Sequence, residues 1–289
     1  MPAPSDTTRI GDLFARKKLE GRAAFIAYIT AGDPRPDRTA ELVLALERGG
    51  TDLIELGVPF SDPIADGPVI QRASERALRA GMNLPRLLDS VREIRRVSQI
   101  PLLLFSYMNP LLRYGFERLA VDAREAGIDG VLLTDLSVEE AAEPVSRLRG
   151  QNLDTVFLAA PTSTDRRLDL VARYSSGFVY LVSRTGVTGE RAALDPGVSD
   201  LIARARRHTK LPLAVGFGIS TPEQVAAVAS SCDGVVVGSA IVRTIERHAA
   251  SPDLPHLLQA FTANLTAPLG AAAASLPGVA AGSATRSAS

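Results

Sequence analysis

The chain has 289 residues, 46% of them hydrophobic and 22% charged, which is enough to bury one large α/β domain or two smaller ones and excludes a disordered protein. Its 32 Lys and Arg residues balance 32 Asp and Glu, so no net field favours nucleic acid or an anionic membrane, and any anion site must be local. The single cysteine, Cys232, excludes an intramolecular disulfide and reads as buried apolar filler in a reducing compartment; with no leader-like start and no apolar segment long enough to span a bilayer, a cytoplasmic protein is expected.

The first element in chain order is helical. Thr8 to Leu19 places Ile10, Leu13 and Phe14 on one face and stops at Gly21, which predicts a helix that plugs the base of the fold. Short apolar runs then recur: AAFIAYIT from Ala23, TDLIEL from Thr51, PLLLFS from Pro101, GVLLT from Gly130, DTVFLA from Asp154, GFVYLV from Gly177, PLAVGF from Pro212 and DGVVVG from Asp233. None alternates, as expected of strands buried on both faces. Between them lie TAELVLALERGG, LPRLLDSVREIRRV, FERLAVDAREAG, SVEEAAEPVSRLRG, RLDLVARYS, SDLIARARRH, TPEQVAAVAS and SAIVRTIERHA, whose apolar residues repeat at helical spacing; Gly127 supplies a helix stop.

Eight strands each followed by a helix predict an α/β fold, a (β/α)8 TIM barrel with an extra N-terminal helix, forming a single domain over residues 1–265. A doubly wound open sheet is the alternative, but it usually has fewer strands and an early glycine fingerprint. GFGIST at Gly216 has Thr221 in place of the third glycine, which argues against NAD. From Ala267, APLGAAAASLPGVAAGSATRSAS has small residues and no periodicity, so residues 266–289 are expected to be a disordered, low-complexity tail.

Barrels of this kind carry their chemistry on the loops at the C-terminal strand ends. Glu55 lies inside TDLIEL, where alternation sends a side chain either into the barrel or under the helices. An unpaired carboxyl there is desolvated, and its pKa rises toward values useful for proton transfer; the plainer reading is a Glu at the strand's mouth, half solvated or paired with an Arg. The following FSDPIADGP is a Pro-stiffened loop that holds a second carboxylate over the mouth at low ordering cost. Spacing does not choose between Asp62 and Asp66, one of which is a turn former.

Later motifs point to an anion. Thr221 and Pro222 open a helix after GFGIS, and Gly238 and Ser239 place bare amides at a helix N-terminus after the eighth strand, with SRTGVTGER from Ser183 placed to close the cradle. Loops seven and eight are a frequent phosphate site in this fold, so a phosphorylated substrate is expected. Tyr28, Phe105, Tyr107, Leu132, Leu158, Tyr180 and Phe217 lie near strand ends, where a rim of such groups suits a flat aromatic ligand. His208, His248 and His256 lack metal-ligand spacing, so no metal is expected, and neither a GxSxG elbow nor a GxxxxGK loop occurs.

The run ELGVPFSDPIADGPVIQ, with YITAGDP before it and SRTGVTG, GFGISTPEQV and GSAIV after it, closely resembles the tryptophan synthase alpha chain family over about Thr8 to Leu265. The resemblance implies a lyase of tryptophan biosynthesis that cleaves indole-3-glycerol phosphate to indole and glyceraldehyde 3-phosphate by a retro-aldol reaction. It implies no cofactor in this chain and a pyridoxal-phosphate-bearing beta chain as partner, in an alpha2-beta2 tetramer. Position by position it places the catalytic carboxylates on Glu55 and Asp66, the phosphate on the amides of Gly189, Gly218, Gly238 and Ser239, and the indole among Tyr28, Phe105, Tyr107, Leu132, Leu158, Tyr180, Thr188 and Phe217. Pro59, Asp62 and Asn109 fall where the family meets its beta chain. Ala27 and Ser137 stand where proline is frequent in the family. Another phosphosugar barrel, such as an isomerase, and a silent barrel that only activates a partner are the competing functions.

Overall fold

The computed structural model describes residues 8–182, 196–216 and 218–274. Helix α1 (Arg9–Leu19) precedes β1 (Ala24–Thr30), and α2 (Thr39–Arg48) leads to β2 (Leu53–Gly57). Helices α3 (Pro68–Arg79) and α4 (Leu84–Arg95) lead to β3 (Leu102–Ser106), α5 (Met108–Tyr114) and α6 (Phe116–Ala126) to β4 (Gly130–Leu133), and α7 (Ala142–Gly150) to β5 (Asp154–Val156) and β6 (Leu158–Ala159). Helix α8 (Asp165–Tyr174) precedes β7 (Val179–Val182), α9 (Pro196–His208) precedes β8 (Leu213–Gly216), and α10 (Pro222–Ala229) precedes β9 (Gly234–Val237). Helices α11 (Ser239–Arg247) and α12 (Leu254–Ala274) follow.

All the strand pairs are parallel, in the order β5-β4-β3-β2-β1-β9-β8-β7-β6. Segments β5 and β6 are separated only by Phe157, so the nine described segments are the eight expected strands, with DTVFLA in two pieces, and the sheet closes into a barrel. At the break, Ser176 Oγ accepts the Thr155 N–H at 3.0 Å and Ser175 Oγ accepts the Phe157 N–H at 3.3 Å, so side chains replace missing ladder partners.

Alternation along the strands sorts the core into two layers. Ala27, Ile29, Ile54, Leu56, Leu102 and Leu104 pack outward under the helices. Ala24, Ile26, Leu53, Leu103, Leu132, Val156, Phe178, Ala214 and Val236 fill the interior together with Ile10, Leu13 and Phe14 of α1. Helix α1 is therefore the plug that its apolar face predicts. It is also pinned polar-wise around the rim: Thr8 donates to Asp154, Arg9 pairs with Asp129 at 2.7 Å and Lys17 with Asp52 at 3.1 Å. Asp52, Asp129 and Asp233 each stand one residue before a strand and accept a backbone N–H from the neighbouring strand, those of Phe25, Leu102 and Leu213 at 2.9, 2.8 and 2.7 Å.

The sequence boundary at Leu265 needs correction. Helix α12 runs through Pro268 to Ala274, because Ala-rich sequence is a strong helix former, Leu269 is buried at 2% exposure and Thr266 Oγ1 donates to the Gly49 carbonyl at 2.9 Å. The rest of the expected tail, from residue 275, lies outside the described residues. Helix α3 was hidden in the sequence because its buried face is Ala73, Ser74 and Ala77, small residues without an apolar stripe.

Phe14 packs on Phe178 with ring centroids 5.5 Å apart. Phe14→Ala is expected to lower stability by about 3–5 kcal/mol, the usual result of emptying a buried aromatic site. Urea unfolding measures it, and a loss below about 1 kcal/mol would show that α1 is not an integral floor of the barrel.

Candidate active site

Glu55 shares the inward parity of Leu53 and lies one layer above it, nearer the C-terminal end of β2. Its register neighbours are Tyr28 on β1 and Leu103 on β3. Phe105, Leu158 and Tyr180 pack on the interior cluster from above, so the carboxyl is surrounded by apolar and aromatic groups. Glu55 is 1% exposed, and among the described residues its Oε1 has no hydrogen-bond partner. Burial alone pushes its pKa up to about 8. The half-solvated Glu of the plainer sequence reading is not what the structure shows: the side chain is buried, and among the described residues no Arg pairs with it.

Two tyrosines frame this group by lying over glycines. A Cβ on Gly57 would collide with the Tyr28 hydroxyl, and one on Gly216 with the Tyr180 hydroxyl, so only glycine lets each ring cross its neighbouring strand. The Tyr28 ring also meets Phe105 edge-on at 5.2 Å. Burial raises both phenols well above their ordinary pKa, and the negative field of Glu55 adds to this in each.

Asp66 sits on the loop between β2 and α3, and Tyr107 decides its position. The Tyr107 hydroxyl accepts the Ala65 N–H at 3.0 Å, so its own proton is directed to Asp66 Oδ2 at 3.1 Å. From the other side, Gln71 Nε2 on α3 donates to the Asp66 carbonyl at 2.9 Å and to the Pro63 carbonyl at 3.4 Å. Burial pushes Asp66 up to about 6, with the Tyr107 hydrogen bond pulling against it. Asp66 and Glu55 both act electrostatically on Tyr28, Asp66 the more strongly. Asp62 is instead exposed and takes a bond from Ser61, the behaviour of a turn residue. Sequence reasoning overlooked Gln71 and the clasp role of Tyr107; neither is near Asp66 in a way that spacing reveals.

On the other flank, Gly238 caps α11 with φ −115° and ψ −76°, a backbone that does not demand glycine. The first amides of α11, those of Ser239, Ala240 and Ile241, have no acceptors within the helix. Gly218 is exposed with φ +71° just before the capping box formed by Thr221 and Gln224. Leu132 is fully buried opposite Phe105 in register, and Tyr180 faces Leu158. Thr188, Gly189 and Phe217 lie outside the described residues. Pro59 is buried, whereas Asp62 and Asn109 are exposed.

A cavity of about 400 Å³ at the opposite end of the barrel is lined by Phe14, Lys17, Arg22, Arg206 and Cys232. Of the cations that line it, Lys17 and Arg22 are paired with Asp52 and Glu20 and Arg206 with Asp233, and burial pushes the Cys232 thiol up to about 12. Among the described residues, no three His, Cys, Asp or Glu side chains are arranged to hold a metal ion, and no helix is long and apolar enough to cross a membrane.

Residues 14–265 match the family model described as tryptophan synthase alpha chain. The chain belongs to the tryptophan synthase alpha chain family. It is 63% identical to the tryptophan synthase alpha chain of Solibacter usitatus over 92% of this chain and 100% of that protein. The crystal structure of tryptophan synthase subunit alpha from Legionella pneumophila superimposes with a TM-score of 0.85 at 36% identity, covering 92% of this chain and 99% of that one. A chain of the tryptophan synthase complex from Pyrococcus furiosus does so with a TM-score of 0.78 at 39% identity, over 84% and 98%. Ala27 is buried in β1, and Ser137 precedes a short turn where it bonds Glu139.

The pKa of Glu55 gives the site a measurable signature. In the folded chain the carboxyl keeps its proton up to about 8, but in an unfolded chain it loses it near 4.5. Between these values the folded state binds more protons, so stability falls as pH rises through the window. Glu55→Gln removes that penalty, and its stability gain over the parent is expected to grow by on the order of 3 kcal/mol from about pH 5 to about pH 8. Urea unfolding of both proteins across this range checks it; a pH-independent difference would mean that Glu55 is not held in a dry site.

Proposed function

We propose that this chain cleaves indole-3-glycerol phosphate to indole and glyceraldehyde 3-phosphate, with Glu55 as the proton carrier and Asp66 as the partner of the indole N–H. The observation that carries the assignment is the pair of carboxyls with divergent environments at one barrel mouth, Glu55 raised to about 8 and Asp66 to about 6. At neutral pH Glu55 is the acid and Asp66 the anion.

The bond to be broken joins indole C3 to the first carbon of the glycerol chain, and that carbon bears a hydroxyl. Protonated Glu55 gives its proton to C3, which leaves a cation shared between C2 and N1. Asp66 stabilises this charge through the N1–H, using the oxygen that Tyr107 leaves free. The Glu55 carboxylate then takes the hydroxyl proton as the carbon–carbon bond breaks; its electron pair returns to the ring, the former alcohol becomes an aldehyde, and the acid is regenerated. Tyr28, Phe105, Tyr107, Leu132, Leu158, Tyr180, Thr188 and Phe217 line the indole side in this reading. The phosphate rests on the amides of Gly189, Gly218, Gly238 and Ser239, where the helix dipole of α11 supports it.

No cofactor enters these steps. A pyridoxal-phosphate-bearing beta chain in an alpha2-beta2 tetramer is the proposed partner, with Pro59, Asp62 and Asn109 toward it and a cytoplasmic setting. The relative from Pyrococcus furiosus, whose structure is that of a tryptophan synthase complex, supports the partnership.

Indole release from indole-3-glycerol phosphate by the purified chain, alone and with a cognate beta chain, tests the reading: slow release alone and faster release with the partner is expected, and no release in either condition would overturn it. Glu55→Gln is expected to reduce release by on the order of 10³-fold with the fold intact. Because Asp66 must be ionised and Glu55 protonated, kcat/KM is expected to rise with pH near 6 and fall near 8. A profile that stays flat across this interval would remove these groups from the rate-determining steps. Ser239→Asp sets a like charge against the phosphate and is expected to raise KM about tenfold; an unchanged KM would move the phosphate elsewhere.

A further inference from the structure

Two helices of the barrel begin at the site. Helix α3 starts at Pro68, directly after Asp66 and Gly67, and α11 starts at Ser239. They lie side by side: Ala73 of α3 and Val242 of α11 share a buried cluster with Tyr28, and Val69, Ile70 and Phe105 pack against it. Behind this apolar contact, Arg76 reaches in two directions. Its Nε and Nη2 donate to both oxygens of Asp33 at 2.8 and 2.9 Å, and its Nη1 donates to Glu246 of α11 at 2.8 Å. Arg72, one turn earlier, forks onto the same Glu246 at 2.9 and 3.0 Å.

Asp33 is not a surface partner. Its side chain is 1% exposed, its N–H donates to the Thr30 carbonyl at 3.2 Å at the end of β1, and the preceding Gly32 donates to Thr39 Oγ1 at 3.0 Å. It therefore belongs to the barrel frame, and the planar guanidinium of Arg76 fastens α3 to that frame and to α11 at once. Arg76 lies about 12 Å along α3 from Pro68 at 1.5 Å per residue, so a small rotation there moves the front of the helix.

Resting on the active-site reading above, we infer that Arg76 is a positioning residue that sets the spacing between Asp66, at the front of α3, and the phosphate-binding N-terminus of α11. A ligand that bridges both ends depends on this spacing. A ligand that occupies one end does not, which separates positioning from general support of the fold.

The test compares three ligands on the full chain by calorimetry: indole, glycerol 3-phosphate, and an indole joined to a phosphate by an unreactive three-carbon chain. Arg76→Lys keeps the charge and loses the fork. The two fragments are expected to bind within about twofold of the parent chain while the joined ligand weakens about tenfold or more, since misplacement by about 1 Å is costly only where two ends must fit together. Unchanged binding of the joined ligand would overturn the inference, and so would equal weakening of all three ligands, which would assign Arg76 to fold support alone. Glu246→Ala frees the α11 end at a half-buried position and is expected to give the same split if Arg76→Lys does not fold. Failure of the parent chain to bind the joined ligand would instead overturn the active-site reading itself.

Discussion

Glu55 has to keep its proton at neutral pH, because nothing among the described residues compensates a charge where it sits. A carboxylate moved into such surroundings loses its hydration without a cation or a set of donors in return. The barrel creates the condition in two ways. Helix α1 closes the base with Ile10, Leu13 and Phe14, and the interior above it is filled with aliphatic and aromatic side chains up to the layer of Glu55. Water is therefore excluded from one end, and the acid faces the mouth. A protonated acid held in this way can give a proton to a weakly basic carbon, which a solvated carboxylate of ordinary pKa does poorly.

Asp66 is held by the opposite arrangement. Its loop is polar, it accepts the Tyr107 proton, and its burial is partial, so it ionises about two pH units below Glu55. The two acids thus differ in charge at the same pH. The tyrosines sharpen the difference. Tyr28 lies across Gly57 and Tyr180 across Gly216, and both phenols stay protonated because burial raises them well above their ordinary range.

The fold was legible because strands buried on both faces leave unbroken apolar runs, and TDLIEL stood out among them for its one acid. Helix α3 was not legible, since a helix packed through Ala73, Ser74 and Ala77 has no apolar stripe, and α5 is short with only Leu111 buried. The α12 boundary was misread because alanine serves equally in a tail and in a helix, and the contact that decides, Thr266 to Gly49, is far away in sequence. The same distance problem applied to the site. Spacing left Asp62 and Asp66 equivalent, and the residue that separates them structurally is Tyr107, at the end of β3. Arg76 was not singled out in the sequence, because its buried partner Asp33 lies on the loop after β1, 43 residues away.

The stiffness of FSDPIADGP has a mechanical consequence. Its inner side is fastened by Tyr107 and Gln71, while its tip presents Asp62 and Ile64, the latter 88% exposed. A lone exposed isoleucine is ordinary on a protein surface. What distinguishes this one is its connection: it lies two residues from Asp66 in a segment whose prolines and clasp bonds leave few internal adjustments. A flexible loop would absorb a contact at its tip by rearranging locally, at the cost of ordering its own backbone. A fastened loop transmits it. Any surface that covers Ile64 therefore bears on the hydrogen bonds that hold Asp66.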